Sequence, residues 1–176
     1  MKISIKNCTA DYSDSIADNF YQKSVLSGEI EGLETIFFEL KQGEKLKYEP
    51  DDHTINTFIF LGGKGKVLQN DKQFSFDEVA LLVAENTTES LILSDDQNIR
   101  FLQLKLALSP IDTVWLTKQQ EQNRFPFFVL YSKAGRYTES IKSAKTINRI
   151  LLPEDVVPRL CIGSVETTGP DEIGEH

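Results

Sequence analysis

Glu49, Asp51, His53 and Asn56 fall between positions 49 and 56, and their types and spacing could do chemistry. Two carboxylates beside an imidazole can exchange protons as general acid and base, each shifting the other's affinity for a proton. With the amide of Asn56 they form an oxygen-rich set, which suits Ca²⁺ or Mg²⁺ better than Zn²⁺ or Fe²⁺. The same four side chains could line a concave site for a small polar molecule without any metal. A plainer alternative carries more weight against the metal and acid–base roles: Glu49-Pro50-Asp51-Asp52 is a solvated hairpin turn, because Pro and Asp favour turn backbones. The four residues are therefore taken as a candidate ligand-binding set. No metal site is assigned within this chain.

The elements that must position them are short. After Gly32 the chain runs in apolar segments of period two, separated by polar turns every 8 to 12 residues or so, as in an antiparallel sandwich or barrel. The segments are Glu34–Leu40, Thr57–Leu61, Lys66–Leu68, Val79–Val83, Ser90–Leu93 and Arg100–Leu108. In the last, Leu102, Leu104 and Leu106 share one face, with Gln103 and Lys105 on the other. Turns are expected at Gly62–Gly65, Asn70–Lys72 and Ser94–Asn98. Before this block lies an arm, residues 1–31, with a short strand at Lys2–Ile5 and a helical turn near Ile16–Tyr21. After Pro110 comes an extension, residues 111–176. It opens with a short helix capped by Asp112 or Thr113, with Trp115 as a packing anchor. It continues through an edge strand or buried connector at Phe125–Tyr131, an amphipathic segment at Ser132–Ile150 and a proline-bracketed connector at Leu151–Pro158, and reaches a strand at Arg159–Val165.

A chain of 176 residues with 40% hydrophobic and 26% charged residues makes one ordinary domain, or one domain plus an extension. It contains no apolar run of about 18 residues, so no membrane span is expected. MKISIKN has no signal-peptide core, and a cytoplasmic location is the default. The formal charge of −8 disfavours nucleic acid and anionic membranes as partners. The stretch from Lys118 to Arg159 holds eight basic and four acidic residues, interspersed as on a solvated face. Cys8 and Cys161 are far apart and are expected to be reduced and structural.

The β-rich block resembles a cupin, a small jelly-roll barrel whose first motif is a glycine, five residues, His-x-His, three or four residues, Glu, six residues, glycine. Here Gly43 is followed by five residues, Glu49-Pro50-Asp51, four residues, Asn56, six residues and Gly63. The spacing matches, while Glu49 and Asp51 stand at the histidine positions and Asn56 at the glutamate position. The second motif, a glycine, five residues, Pro-x-Gly, two residues, His, three residues, Asn, falls on Asp77, Val83, Glu85, Thr88 and Ile92 and keeps none of its defining residues. A weak repeat relates IFFELKQG at Ile36–Gly43 to IGSVETTG at Ile162–Gly169, and the second copy runs on to His176. The chain thus resembles the metal-free N-terminal half of a two-domain cupin. Residues 32–110 form the barrel, and the extension is either a natural acidic tail or the start of a second repeat.

The resemblance implies an all-β fold: a cupin-like jelly-roll barrel or sandwich with an N-terminal arm and a C-terminal extension of short helix and strands. It implies a non-catalytic, degenerate cupin domain that serves dimerisation or binds a small polar, sugar-like molecule. An alternative is half of a two-domain isomerase or dioxygenase acting on a sugar or small organic acid, with a divalent metal lying beyond His176. A third is a metal-free enzyme using Glu49, Asp51 or His53. A homodimer is expected, because an apolar strand left at an edge tends to find another.

Overall fold

The computed structural model describes residues 15–17, 20–26, 30–137 and 146–167. The Lys2–Ile5 segment, Cys8 and the end of the repeat from residue 168 to His176 lie outside them. In chain order the strands are β1 (Ser15–Ala17), β2 (Phe20–Ser24), β3 (Leu33–Leu40), β4 (Lys45–Tyr48), β5 (Thr54–Gly62), β6 (Gly65–Gln69), β7 (Lys72–Phe76), β8 (Ala80–Val83), β9 (Ser90–Ser94) and β10 (Ile99–Ala107). Helix α1 (Pro110–Glu121) follows, then β11 (Phe127–Leu130), a single 3₁₀ turn at Tyr131–Lys133, β12 (Gly135–Arg136), β13 (Thr146–Val157) and β14 (Leu160–Thr167).

These strands make a seven-stranded sheet in the order β1-β2-β3-β10-β5-β8-β11, a four-stranded sheet in the order β4-β9-β6-β7, and a three-stranded sheet in the order β12-β13-β14, all antiparallel. The first two face each other as the expected all-β jelly roll. Their shared interior is aromatic. Phe38, Phe58, Phe60 and Phe101 from the large sheet meet Val67, Phe76 and Ile92 from the small one. Phe101 is the hub: its ring stacks on Phe38 at 5.0 Å and lies 5.6 Å from Phe60 and 6.2 Å from Phe58.

The outer face of the large sheet is also covered. Ile55, Leu81, Val83 and Leu106 pack there against Leu116 of α1 and against Leu151, Leu152, Val156 and Val157 of β13. Burial on both faces explains why β8 reads ALLV without alternation and is buried throughout. It also revises the reading of β10. The leucine face and the Gln103 face are separated as the pattern predicts, but Gln103 is only 4% exposed and faces the barrel interior, while Leu102 and Leu104 remain half-buried on the outside.

Three local expectations are corrected. Ile16 and Tyr21 lie in strands and not in a helical turn, with β2 continuing the large sheet beside β3. Phe20 packs on Phe38 from one face and Tyr21 on Phe37 from the other, the alternation of a strand and not of a helix face. The proline-bracketed Leu151–Pro158 segment is largely strand, since β13 runs through Pro153 where the ladder to β14 is interrupted by a bulge. Helix α1 begins three to four residues earlier than expected, capped by Ser109 in a capping box with Asp112, with Pro110 in its first turn. Asp112 is buried and also holds Arg159 of the β13–β14 turn at 2.7 Å. The same guanidinium donates to the Ala107 carbonyl at 2.8 Å, so one side chain ties β10, α1 and the hairpin together. Burial alone would raise the Asp112 carboxyl, but hydrogen bonds from Ser109 and the charge of Arg159 outweigh it and hold the group below its usual range.

Two turns depend on their exact residue types. Gly63 sits at φ +96°, and a Cβ there would come within 2.5 Å of the Asn98 carbonyl oxygen, so only glycine fits where the β5–β6 turn passes the β9–β10 turn. Gln69, 1% exposed, holds the β8–β9 loop: its Nε2 donates to Ser90 Oγ at 2.9 Å and to the Glu85 and Thr88 carbonyls, and its Oε1 accepts from the Glu85 N–H at 3.1 Å.

Because Phe101 is fully buried and touches three other rings, Phe101→Ala should cost about 3–5 kcal/mol of unfolding free energy, read as a lower urea midpoint at unchanged slope. Gly63→Ala, with both a positive φ and a backbone collision, should lose about 2 kcal/mol or more in the same assay.

Candidate site at the barrel rim

The interior-facing positions of β3, β10 and β5 run outward from aromatic to polar. Glu34 pairs across to Lys105, and Lys105 to Asn56, so these three side chains share one row and one face of the sheet. The next row inward holds Gln103 and Phe58, and the one beyond it Phe101 and Phe60. Thus the polar row sits at the rim, and the barrel below it is filled by phenylalanines.

Asn56 is 2% exposed and its amide is satisfied by neighbours: Oδ1 accepts from Gln103 Nε2 at 2.8 Å, and Nδ2 donates to Thr54 Oγ1 at 3.2 Å. The chain of bonds continues to the β4–β5 turn, where the Thr54 hydroxyl donates to Asp51 Oδ2 at 3.1 Å. Asp51 Oδ1 accepts the His53 backbone N–H at 2.9 Å, closing an Asx turn. That backbone hydrogen bond, the Thr54 hydroxyl and the nearby charges of His53 and Lys105 hold the Asp51 carboxyl below its ordinary value of 3.8, against the effect of burial. Tyr48, packed edge-on against Phe58 at 5.4 Å, is pushed up to about 12 by burial and by the charge of Asp51, with a Thr54 hydrogen bond pulling the other way. It therefore stays a neutral phenol.

Lys105 is the cation of the rim, with Nζ 3.5 Å from Glu34 Oε2 and its side chain about one-third exposed. A groove of about 320 Å³ opens beside it, where Lys105, Thr54, Glu31 and Glu34 stand among the apolar Ile30, Leu33 and Ala107. Asp51 and Asn56 thus belong to one bonded network next to a groove. His53 contributes its backbone N–H to that network and its carbonyl to Leu108 N–H at 2.9 Å, and its ring is exposed. Glu49 lies apart on the strand side, exposed, and pairs with Lys47 at 2.6 Å; Lys47 also reaches Glu89 at 2.8 Å. Both carboxylates push the Lys47 ammonium up.

Lys105, Glu34, Thr54, Gln103 and Tyr48 did not stand out in the sequence. The alternation of β10 had already placed Gln103 and Lys105 on the face opposite the leucines, and that face proves to be the barrel interior. The signal lay in two polar residues at interior positions of a strand otherwise led by Ile99 and Phe101. Among the described residues, no group of three or more His, Cys, Asp or Glu side chains is placed to hold a metal ion. No helix among them is long and apolar enough to cross a membrane.

Asp51 caps its turn as a carboxylate, so the stability it contributes is present above the unfolded value near 3.8 and is lost as pH falls through its lower folded value. Asp51→Asn should therefore flatten part of the acid limb of a stability-versus-pH curve below about pH 4. Gln103→Leu leaves buried Asn56 Oδ1 without its donor and should cost about 1–3 kcal/mol by denaturant unfolding.

No protein-family model and no curated protein sequence matches the chain. Solved structures do resemble it in fold. A Pseudomonas aeruginosa protein described as glyoxylate-induced superposes with a TM-score of 0.59 at 12% identity, over 77% of this chain and 50% of that one. The plu4264 protein of Photorhabdus luminescens gives 0.52 at 14% identity, over 68% of this chain and 100% of its own. The Cnp3 cupin domain of Schizosaccharomyces pombe gives 0.45 at 15% identity, over 59% of this chain and 71% of its own.

Proposed function

We propose that this chain, which has the cupin fold, is a non-catalytic binding domain that takes a small polar, sugar-like molecule at the barrel rim. One observation carries the reading: the interior is occupied by Phe38, Phe58, Phe60 and Phe101, and the buried polar pair above them, Asn56 and Gln103, is bonded to itself. Polar binding capacity remains in the groove beside Lys105, Thr54 and Glu34. A cation, a hydroxyl and a carboxylate converging there can hold the hydroxyl and carboxylate groups of a polyhydroxy acid, with Lys105 as charge anchor. At the positions matching cupin metal ligands, Glu49 points to Lys47, Asp51 caps a turn, Asn56 is bonded to Gln103, and Thr88 accepts from Asn70 at 3.3 Å. None of these is a free imidazole, the ligand that Zn²⁺ or Fe²⁺ sites rely on.

A second reading, half of a two-domain cupin enzyme, is favoured by the P. aeruginosa neighbour, of whose length this chain spans half. On that reading the divalent metal belongs to the other half.

Titration calorimetry with gluconate and galacturonate as probes tests the first reading. Binding of at least one probe is expected, weakened at least tenfold in Lys105→Met and in Thr54→Val while Glu49→Gln leaves it unchanged. Absence of binding by both probes, or binding indifferent to Lys105, rejects the rim as the site. Elemental analysis is a separate check, and stoichiometric transition metal in the purified chain would overturn a metal-free module.

A further inference from the structure

The exposed strand edges of this molecule are not equally protected. In the four-stranded sheet, edge strand β4 exposes Lys45 and Lys47, and edge strand β7 exposes Lys72, Gln73 and Ser75. Such charged and polar residues blunt an edge against pairing with another chain. Strand β14 is different. It is eight residues long, LCIGSVET, and among the described residues it pairs only with β13. Its single charged side chain, Glu166, accepts the Tyr131 hydroxyl at 2.8 Å. Leu160 and Ile162 pack inward on the outer core, while Cys161, Gly163 and Val165 face out, with Val165 53% exposed. A mostly apolar cleft of about 350 Å³ lies beside it, lined by Val79, Tyr131, Ser164, Val165 and Glu166.

We propose that β14 docks β14 of a second copy of this chain, antiparallel about a twofold axis at Gly163, joining two three-stranded sheets into one of six strands. Identical antiparallel strands related by a twofold must place one residue opposite itself, because opposite residues point to the same face. With Gly163 at that position, Leu160 through Glu166 of both copies overlap entirely within the observed strand. The exposed apolar residues then meet, Cys161 against Val165 of the second copy, and the glycine at the axis leaves room for the Tyr137 ring that lies over it. Ile162 of the second copy falls opposite Ser164, on the face that each copy turns to its own outer core. Leu160 of the second copy then falls opposite Glu166, whose carboxylate is held by the Tyr131 hydroxyl; moving the axis to Ser164 would put Ile162 in that place and separate Cys161 from Val165. The two Glu166 carboxylates lie six positions apart along the pair, about 20 Å, which is well beyond the screening length of about 8 Å at physiological salt. The chain's net charge of −8 therefore does not forbid this contact.

This docking is independent of ligand binding at the rim. The test uses the whole chain in a Cys8→Ser background. The expected mass in light scattering at micromolar concentration is twice 19.9 kDa. Val165→Lys should halve it with an unchanged circular dichroism spectrum. Val165→Cys places the new thiol about 4.5–5.5 Å from Cys161 of the other copy, counted between Cβ atoms. Within one strand the two positions are about 13 Å apart, too far for a bond. Mild oxidation should therefore give a covalent dimer that disappears when Cys161→Ser is added. A monomeric parent, a Val165→Lys chain that remains dimeric, or a Val165→Cys dimer whose cross-link does not need Cys161 each overturns the proposal. Probe binding by the monomeric Val165→Lys chain would leave the rim reading standing by itself.

Discussion

Burial of β10 and β5 on both faces is the constraint from which the other elements take their places. The inner face of these strands presents Phe101, Phe58 and Phe60, which no single sheet can hide, so the four-stranded sheet must close over them. Their outer face presents Leu106, Ile55 and Ile59, which would be left wet by a lone barrel, and α1 with β13 covers it. Aromatic rings bring large apolar area and fixed geometry, so a hub such as Phe101 fixes the spacing of the two sheets as well as their stability. The helix is fastened to this arrangement by polar means. Asp112 and Gln119 face inward while Ile111 and Val114 are exposed, so its placement rests as much on the Asp112–Arg159 pair and the Ser109 cap as on apolar area.

How much of this was readable from the sequence depends on which period a segment follows. The six apolar segments of the barrel block each correspond to an observed strand, because a strand that separates core from solvent writes its faces into alternate residues, and one buried on both faces, such as β8, reads as a short unbroken apolar run. The glycine turn at Gly63 was legible for a similar reason, since few residues tolerate a positive φ. Strands β4 and β7 were hidden: KLKY and KQFSF carry so many polar residues at a sheet edge that they do not stand out as apolar segments. The strand through Leu151–Pro158 was hidden by its prolines, which the bulge and edge positions accommodate. Residues Tyr21 and Ile16 misled because a short strand and one helical turn have nearly the same composition.

The rim was half legible. Spacing from Gly43 to Gly63 led to Asp51 and Asn56, which the fold connects through Thr54. It could not lead to Lys105 or Glu34, which arrive from strands about fifty and twenty residues away and join the row only through sheet register. Glu49 matched by spacing as well as Asp51 did, and the strand carried it to a different neighbour. A motif constrains the backbone it was drawn from, and the chemistry above that backbone depends on which other strands lie alongside.

Gln69 shows how narrow such a dependence can become. Its amide must donate and accept at once, giving hydrogen to Ser90 and the loop carbonyls and taking it from Glu85 N–H. Glutamate has the length without the donor and would bring an uncompensated charge into a site that is 1% exposed; methionine has the length with neither group; asparagine has both groups and is one methylene too short. Position 69 is thus an alphabet of one letter, although nothing near it is reactive. Across relatives of this chain, a column occupied by glutamine alone at this point would record the architecture of a loop and should not be mistaken for the signature of an active site.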